Sequence, residues 1–340
     1  MIHLGIDLHK SFSYFFAINS ETGETKSEEL PNDDETIRRY IRGFDEPIQA
    51  VVEATWNWEW LVYLLQEDGV DMKLANPLQI KMNTYARAKT DPVDAEMLAK
   101  LDKVDFIPEC YITTKEERAR IKLVRNRNQL LKARTVTKNS IHALLAQLNL
   151  YLPSSNMFGV KGRDWLRRLE LPSPEDRIVR GALARVDLLD RQIGAIDKDL
   201  AKWKDIYPEV KLLQTVPGIG ATISALIFAE TCNTERFKNS KKYVSYCGLV
   251  PRVHSSGGKT YYGHPPKQAN LDLKYAYTQT AMLIPKFDPA WRKWKNKWLE
   301  KKKRRTVRLI MARKIADCCY KMMRYGTEYR EMINKGYLNL

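Results

Sequence analysis

Residues 2–18 read IHLGIDLHKSFSYFFAI, and this stretch decides what the first third of the chain can be. Two runs, 2–8 and 12–18, are rich in Ile, Leu, Phe and Tyr and are parted by a short turn at His9–Ser11, as in a pair of neighbouring strands. A third strand follows around 26–30. Asn32 is placed to cap a helix over 34–43, with Asp33, Asp34 and Glu35 at its positive end. The run PIQAVVE at 47–53 is apolar and ends in a carboxylate, as a buried central strand would. A helix over 56–68 and a strand at 70–75 complete a hairpin followed by alternating β and α, which is an α/β layer.

Beyond residue 115 the pattern turns helical. The stretches 115–150 and 174–206 are rich in Arg, Lys, Leu and Ile; in the second, Ile178, Leu183, Val186, Leu189, Ile193 and Ile196 recur at three- to four-residue steps. Pro153, Ser154, Ser155, Gly159 and Gly162 mark a loop between them, so the two helices form an antiparallel, coiled-coil-like arm. From 207 a third unit begins with LLQTVPGIGATISALIFAE at 212–230, read as a helix-hairpin-helix in which Gly218 and Gly220 let backbone amides approach a phosphate. An ordinary Gly-rich turn between helices has the same letters; the basic surroundings favour DNA. The expected organisation is α/β plus α, with domains at 1–112, 113–206 and 207–340.

Charge is distributed unevenly along the chain. The 340 residues carry a net +16, yet residues 1–110 hold 11 basic and 21 acidic side chains, leaving the rest strongly basic. A basic two-thirds joined to an acidic third suggests a grip on nucleic acid beside a carboxylate-rich unit. No apolar run approaches the roughly 20 residues that span a bilayer, and the N-terminus lacks a secretory pattern, so a cytoplasmic, nucleoid-associated protein without a membrane partner is expected. The five cysteines show neither Cys-x-x-Cys pairs nor zinc spacing, which leaves hard ions held by carboxylates as the expected metals.

Asp7 and Glu53 fall at the ends of expected strands. Asp91 and Asp94, in KTDPVDAEML, are three apart on a helix whose first turn suits Pro92. Singly, Asp91 reads as an N-cap, Asp94 as a complement to the helix dipole, Glu53 as a solvated strand end and Asp7 as a turn residue. Together, in order along an α/β domain, they can hold two Mg²⁺ ions (or Mn²⁺) that clamp the attacking and leaving oxygens of phosphodiester transfer. By themselves the acids equally allow a metal-dependent, structure-specific nuclease in which water attacks.

The stretches GIDLHK, VVEATWNWEW and KTDPVDAEMLAKL resemble the N-terminal motifs of DEDD-type insertion-sequence transposases, relatives of Piv-type DNA invertases. LLQTVPGIG and YCGLVPRVHSSGGK resemble the same family's C-terminal motifs, so both ends of the chain match while the arm carries no signature. The resemblance implies a RuvC/RNase H-like metal-binding domain, a helical arm, and a C-terminal domain with a nucleophilic serine. It places the four acids on Asp7, Glu53, Asp91 and Asp94 and the serine on Ser256, with Ser255 as its neighbour and competitor. It further implies a homo-oligomer, dimer or tetramer, with composite active sites, acting on donor and target DNA under a non-coding bridge RNA. After the serine, GHPPKQANLDLKYA departs from the family's phosphate-contacting stretch of Gly-x-Ser-Lys-x-Gly-Asn type: Lys267 and Asn270 fit as contacts, Pro265 and Pro266 do not.

The residues around Ser256 suit this chemistry in their own right. Gly257 and Gly258 remove obstruction beside the hydroxyl, Lys259 adds a cation, and His254 is a candidate proton shuttle. Downstream, WRKWKNKWLEKKKRRTVRLIMARK at 291–314 sets Trp291, Trp294 and Trp298 on one helical face for packing. The basic run Lys301, Lys302, Lys303, Arg304 and Arg305 is then free to meet a DNA or RNA backbone.

Overall fold

A computed structural model describes residues 1–83, 90–151, 156–263, 266 and 268–336. The chain divides into two compact units, Met1–Ile112 and Thr113–Leu340.

The first unit is a six-stranded mixed sheet with helices on both faces. Strands β1 (Ile2–Leu8), β2 (Phe12–Asn19) and β3 (Thr25–Pro31) form an antiparallel meander; α1 (Asp34–Ile41) leads to β4 (Ile48–Glu53), which returns parallel to β1. Then come α2 (Trp58–Glu67), β5 (Asp71–Ala75) parallel to β4, α3 (Pro77–Asn83), α4 (Asp91–Lys103) and a short antiparallel β6 (Glu109–Cys110), giving the order β3-β2-β1-β4-β5-β6. Side chains alternate along β1: Ile2, Leu4, Ile6 and Leu8 join Ile37 and Tyr40 of α1 and Trp58, Leu61 and Leu65 of α2 in one core. His3, Gly5 and Asp7 therefore face the other way, toward α4.

Gly5 sets the distance between β1 and α4. A Cβ added there would lie 1.9 Å from the Ala95 carbonyl oxygen and 2.6 Å from the Ala99 amide nitrogen, so only a residue without a side chain lets the helix lie this close. Ala95 and Ala99 are themselves fully buried. At the far end of α4 the buried Asp102 meets His3 Nδ1 at 2.6 Å and Lys73 Nζ at 3.1 Å, so its carboxylate is compensated where water is excluded.

The cap expected from Asn32 is made by Asp33, whose carboxylate accepts the Thr36 amide at 2.9 Å. Asn32 instead accepts the Ser13 hydroxyl and donates to the His9 carbonyl at 3.0 Å, because tying the β1–β2 turn to the end of β3 satisfies both ends of its amide.

The second unit is mostly helical. Helix α5 (Lys115–Gln147) starts at a capping box in which Thr114 and Glu117 bond each other's backbone amides. It pairs antiparallel with α7 (Glu175–Ile206) through Arg127–Asp197 and Arg134–Asp190 at 2.7 Å. The connection holds another helix, α6 (Val160–Arg168), capped by Gly159, which corrects the loop expected through Gly162. Gly162 is buried inside α6, where a Cβ would come within 2.3 Å of the Met157 carbonyl oxygen: here glycine marks a tight approach and not a turn. Pro153, Ser154 and Ser155 lie outside the described residues. At one end of the α5–α7 pair Ile141, Leu145, Val179 and Val186 form a core with Leu166; at the other, Val124, Leu200 and Trp203 merge into the core of the remaining helices.

Those helices are α8 (Pro208–Leu213), α9 (Ala221–Thr231), α10 (Ser240–Tyr246), α11 (Leu271–Phe287), α12 (Pro289–Leu299), α13 (Arg304–Tyr325) and α14 (Tyr329–Asn334). A two-stranded hairpin, β7 (Val253–Ser256) and β8 (Lys259–Tyr262), stands between α10 and α11. Trp291 is fully buried, and Trp294 and Trp298 pack against the same core, as their spacing requires. Among the described residues no helix is long and apolar enough to cross a membrane.

The two kinds of glycine separate cleanly by mutation. Gly5→Ala is expected to cost about 1–3 kcal/mol or more in denaturant unfolding of the first unit, by forcing α4 off β1. Gly181→Ala, in mid α7 with open space around it, is expected to stabilise the chain by roughly 0.5–1 kcal/mol.

Candidate functional site

The first site lies at the carboxyl ends of β1 and β4 and the amino end of α4. Ile6 of β1 sits opposite Val52 of β4, so Asp7 and Glu53 take the next positions on adjacent strands, both on the α4 face. Asp91 and Asp94 occupy the first turn of α4; Thr90 is its N-cap residue, and the Asp94 amide bonds the Thr90 carbonyl at 3.0 Å. The structure thus brings Asp7 and Asp91 together, and Asp94 lies near enough for its charge to act on Asp7.

His9 joins them, and the sequence reading passed it over as part of a turn. Its Nε2 lies 3.2 Å from an oxygen of Asp7 and 3.2 Å from one of Asp91, and the three ligand atoms all fall within 4.8 Å of one another. Only its position two residues beyond Asp7, past the end of a strand, hinted at this. Burial pushes the Asp7 carboxyl above its ordinary range; His9 opposes the shift, and the charges of Asp91 and Asp94 add to it. A half-buried Asp7 with further acids converging on it is a donor set suited to a divalent cation, whose charge would relieve both the burial and the repulsion that raise the Asp7 proton affinity.

The second site is the β7–β8 hairpin. Ser256 pairs with Lys259 across a two-residue turn, and Gly257 and Gly258 have φ of 55° and 77°. Positive φ at both central residues is the turn that matches strand twist, and Gly-Gly supplies it without strain. Ser255, Ser256 and Lys259 are all exposed. The backbone of His254 lies in β7; Lys267 lies outside the described residues.

The segment carrying this hairpin is closed at its base by Asn270. The Asn270 amide donates to the Tyr246 carbonyl at 2.7 Å, and its side chain accepts from Leu273, donating at 2.6 Å to Glu230 and at 3.2 Å to the Tyr246 hydroxyl. Glu230, only 1% exposed, also receives both prongs of Arg125 from α5, at 2.7 and 2.8 Å. Asn270 is therefore fully engaged within the fold, where the sequence suggested a phosphate contact.

Gly218 has φ of 89° and sits against α11, with a Cβ position 3.2 Å from the Ile284 amide nitrogen, so close packing of helices accounts for it. Gly220 is the exposed N-cap of α9, with open space around it. Lys301, Lys302 and Lys303 form the turn between α12 and α13, and Arg304 and Arg305 begin α13; all five are exposed. Arg305 and Arg313 line a cleft of about 710 Å³ whose other wall includes Pro251 and Gly263 at the base of the hairpin. Arg304, Arg305 and Arg308 line another of about 510 Å³. Cationic clefts of this kind can hold an anionic backbone.

A family profile described as Transposase matches residues 4–150, and one described as Transposase IS116/IS110/IS902 family matches residues 210–295. A putative transposase of Sinorhizobium fredii is 23% identical over 345 residues, covering 97% of this chain and 86% of its own. The transposase for insertion sequence element IS1328 of Yersinia enterocolitica is 22% identical over 83% of this chain and 86% of its own. The pilin gene-inverting protein of Moraxella bovis is 24% identical, with 85% and 84% covered. An α/β unit that gathers acids, joined to a basic helical unit, is here the framework of a DNA transposase or recombinase. The chain belongs to the DEDD-type IS110 family of transposases.

Two measurements probe these sites. Without divalent cation at neutral pH, Asp7→Asn is expected to raise the melting temperature, since it removes a half-buried charge repelled by Asp91 and Asp94; it is also expected to abolish stabilisation by added Mg²⁺, about 2.7 kcal/mol at a hundredfold excess over Kd in the native chain. Arg125→Ala leaves the buried Glu230 without its cation; because the arginine is itself part-exposed and Asn270 still donates to Glu230, the expected cost in denaturant unfolding is about 1–3 kcal/mol, with faster proteolysis of segment 247–269.

Proposed function

We propose that this chain is the RNA-guided recombinase of an insertion sequence, cutting and rejoining DNA through a covalent phosphoserine at Ser256. The reading assigns a RuvC-like, RNase H-like metal-binding domain to 1–112, a coiled-coil-like arm to 113–206, and a transposase domain with helix-hairpin-helix and nucleophile to 207–340. The observation that carries it is an exposed serine at an unobstructed Gly257–Gly258 tip, in a chain that also gathers acids at the ends of β1, β4 and α4. Family membership supports it, as does a relative named for inverting a gene, an outcome that requires strands to be rejoined as well as cut.

Ser256 Oγ attacks a phosphorus of the DNA backbone. The Oγ–P bond forms as the P–O3′ bond breaks, and the serine proton ends on the departing 3′ oxygen, leaving a 5′-phosphoserine. Attack by a 3′ hydroxyl from the exchanged strand reverses these steps and frees Ser256, so the bond energy is conserved through the covalent link. Lys259, opposite Ser256, brings positive charge to the same tip. Lys301 to Arg305 hold the phosphate backbone, and the open amino end of α9 at Gly220 offers amides to another phosphate. Mg²⁺ or Mn²⁺ held by Asp7, Glu53, Asp91 and Asp94 would neutralise charge on the phosphate oxygens. The partners are donor and target DNA, a bridge RNA, and further copies of the chain, as a dimer or tetramer in which one subunit's acids serve another's serine; the setting is the cytoplasm at the nucleoid.

Ser256→Ala is expected to abolish both the denaturant-stable protein–DNA adduct and strand exchange, by about a thousandfold or more, while Ser255→Ala keeps both. Hydrolysed ends that persist in Ser256→Ala and never rejoin would establish the metal-dependent nuclease instead.

A further inference from the structure

The turn after β1 is held more firmly than a strand connection requires. The His9 carbonyl accepts the side-chain amides of Asn32 at 3.0 Å and Asn57 at 2.9 Å, and its N–H donates to the Phe12 carbonyl at 3.1 Å. Its ring stacks on Phe12, with centroids 4.7 Å apart and planes inclined by 27°. Backbone and ring are both fixed, so Nε2 is presented in one direction, toward Asp7 and Asp91.

A single imidazole nitrogen offers one proton or one lone pair, never two. Here it stands at the same 3.2 Å from two carboxylate oxygens, the long limit for an N–H···O bond, so neither contact is an optimised hydrogen bond. Neighbouring ligands on a six-coordinate ion with bonds of about 2.1–2.2 Å lie about 3.0–3.1 Å apart. Nε2 stands from each carboxylate oxygen at about the spacing of adjacent ligands on one cation, and all three ligand atoms lie within 4.8 Å of one another; the amides on the His9 carbonyl provide outer support that fixes the backbone of a ligating residue.

We propose that His9 is a nitrogen ligand of this site and gives it a preference for later first-row divalent ions, such as Co²⁺, over Mg²⁺. This rests on the reading of the four acids as metal-holding. Mg²⁺ favours oxygen donors and keeps its water, whereas imidazole nitrogen binds increasingly well from Mn²⁺ through Co²⁺. An all-carboxylate site discriminates weakly between them; one imidazole tilts it.

The test compares Co²⁺ and Mg²⁺ binding to the full chain by calorimetry and thermal shift, in the native protein, His9→Ala and His9→Gln, the last keeping a polar side chain of similar reach. The native chain is expected to bind Co²⁺ about tenfold or more tightly than Mg²⁺, with both variants losing about that ratio and keeping their Mg²⁺ affinity within a few-fold. Pulsed EPR of the Mn²⁺-loaded native chain is expected to show a nitrogen hyperfine coupling that vanishes in His9→Ala. An unchanged ratio with no nitrogen coupling would overturn the role of His9 and leave the carboxylate site standing. Binding of neither ion by the native chain, or equal binding by Asp7→Asn, would overturn the site itself and this inference with it.

Discussion

Helix α4 lies on strand β1 with no side chain between them at Gly5. Everything about the acidic site depends on that approach, because Asp7 is two residues along the strand from Gly5, while Asp91 is one turn of helix before Ala95. A bulkier residue at position 5 would hold the helix off and carry Asp91 and Asp94 away from Asp7. The contact is secured beyond it by Asp102, paired with His3 and Lys73 where its carboxylate has no access to water. Close packing in the middle and a compensated buried charge at one end leave the other end, the amino terminus of α4, facing the strand ends. Its positive pole helps hold the negative groups gathered there.

The second unit solves a different problem, that of keeping a hairpin tip exposed while its base is fixed. The hairpin tip is open and turns on two glycines, whereas its base is closed by Asn270 and anchored through Glu230 to Arg125 on the long helix α5. A polar junction around a buried carboxylate is worth keeping only when every member is satisfied, as Glu230 is by the bidentate Arg125 and by Asn270. The tip stays open to solvent while the position of the hairpin is inherited from the helical pair.

Much of the fold was legible because side-chain periodicity is a local property. The expected strands at 2–8, 12–18, 47–53 and 70–75 fall within a residue of β1, β2, β4 and β5, and the expected helices at 115–150 and 174–206 within three residues of α5 and α7. The misreadings share one cause, which is that a residue's partner lay elsewhere in space. Asn32 looked like a cap and ties a turn; Gly162 looked like a loop and sits inside a helix against Met157. Asn270 looked free for phosphate and closes a loop onto Glu230. His9 carried no signal beyond its place just past the strand that ends in Asp7 and Leu8, since nothing in its neighbours announces two carboxylates at 3.2 Å.

The sequence by itself determined the elements, the uneven charge and the motif residues, because alternation, helical spacing and the order of Asp7, Glu53, Asp91, Asp94 and Ser256 are written along one dimension. Only the tertiary structure decided which of these meet. Gly5 and the parallel register of β1 with β4 bring acids more than eighty residues apart to one corner, and His9 enters that corner from a turn pinned by Asn32 and Asn57. Convergence of this kind is set by packing distances between elements, and those depend on long-range contacts that local sequence does not encode.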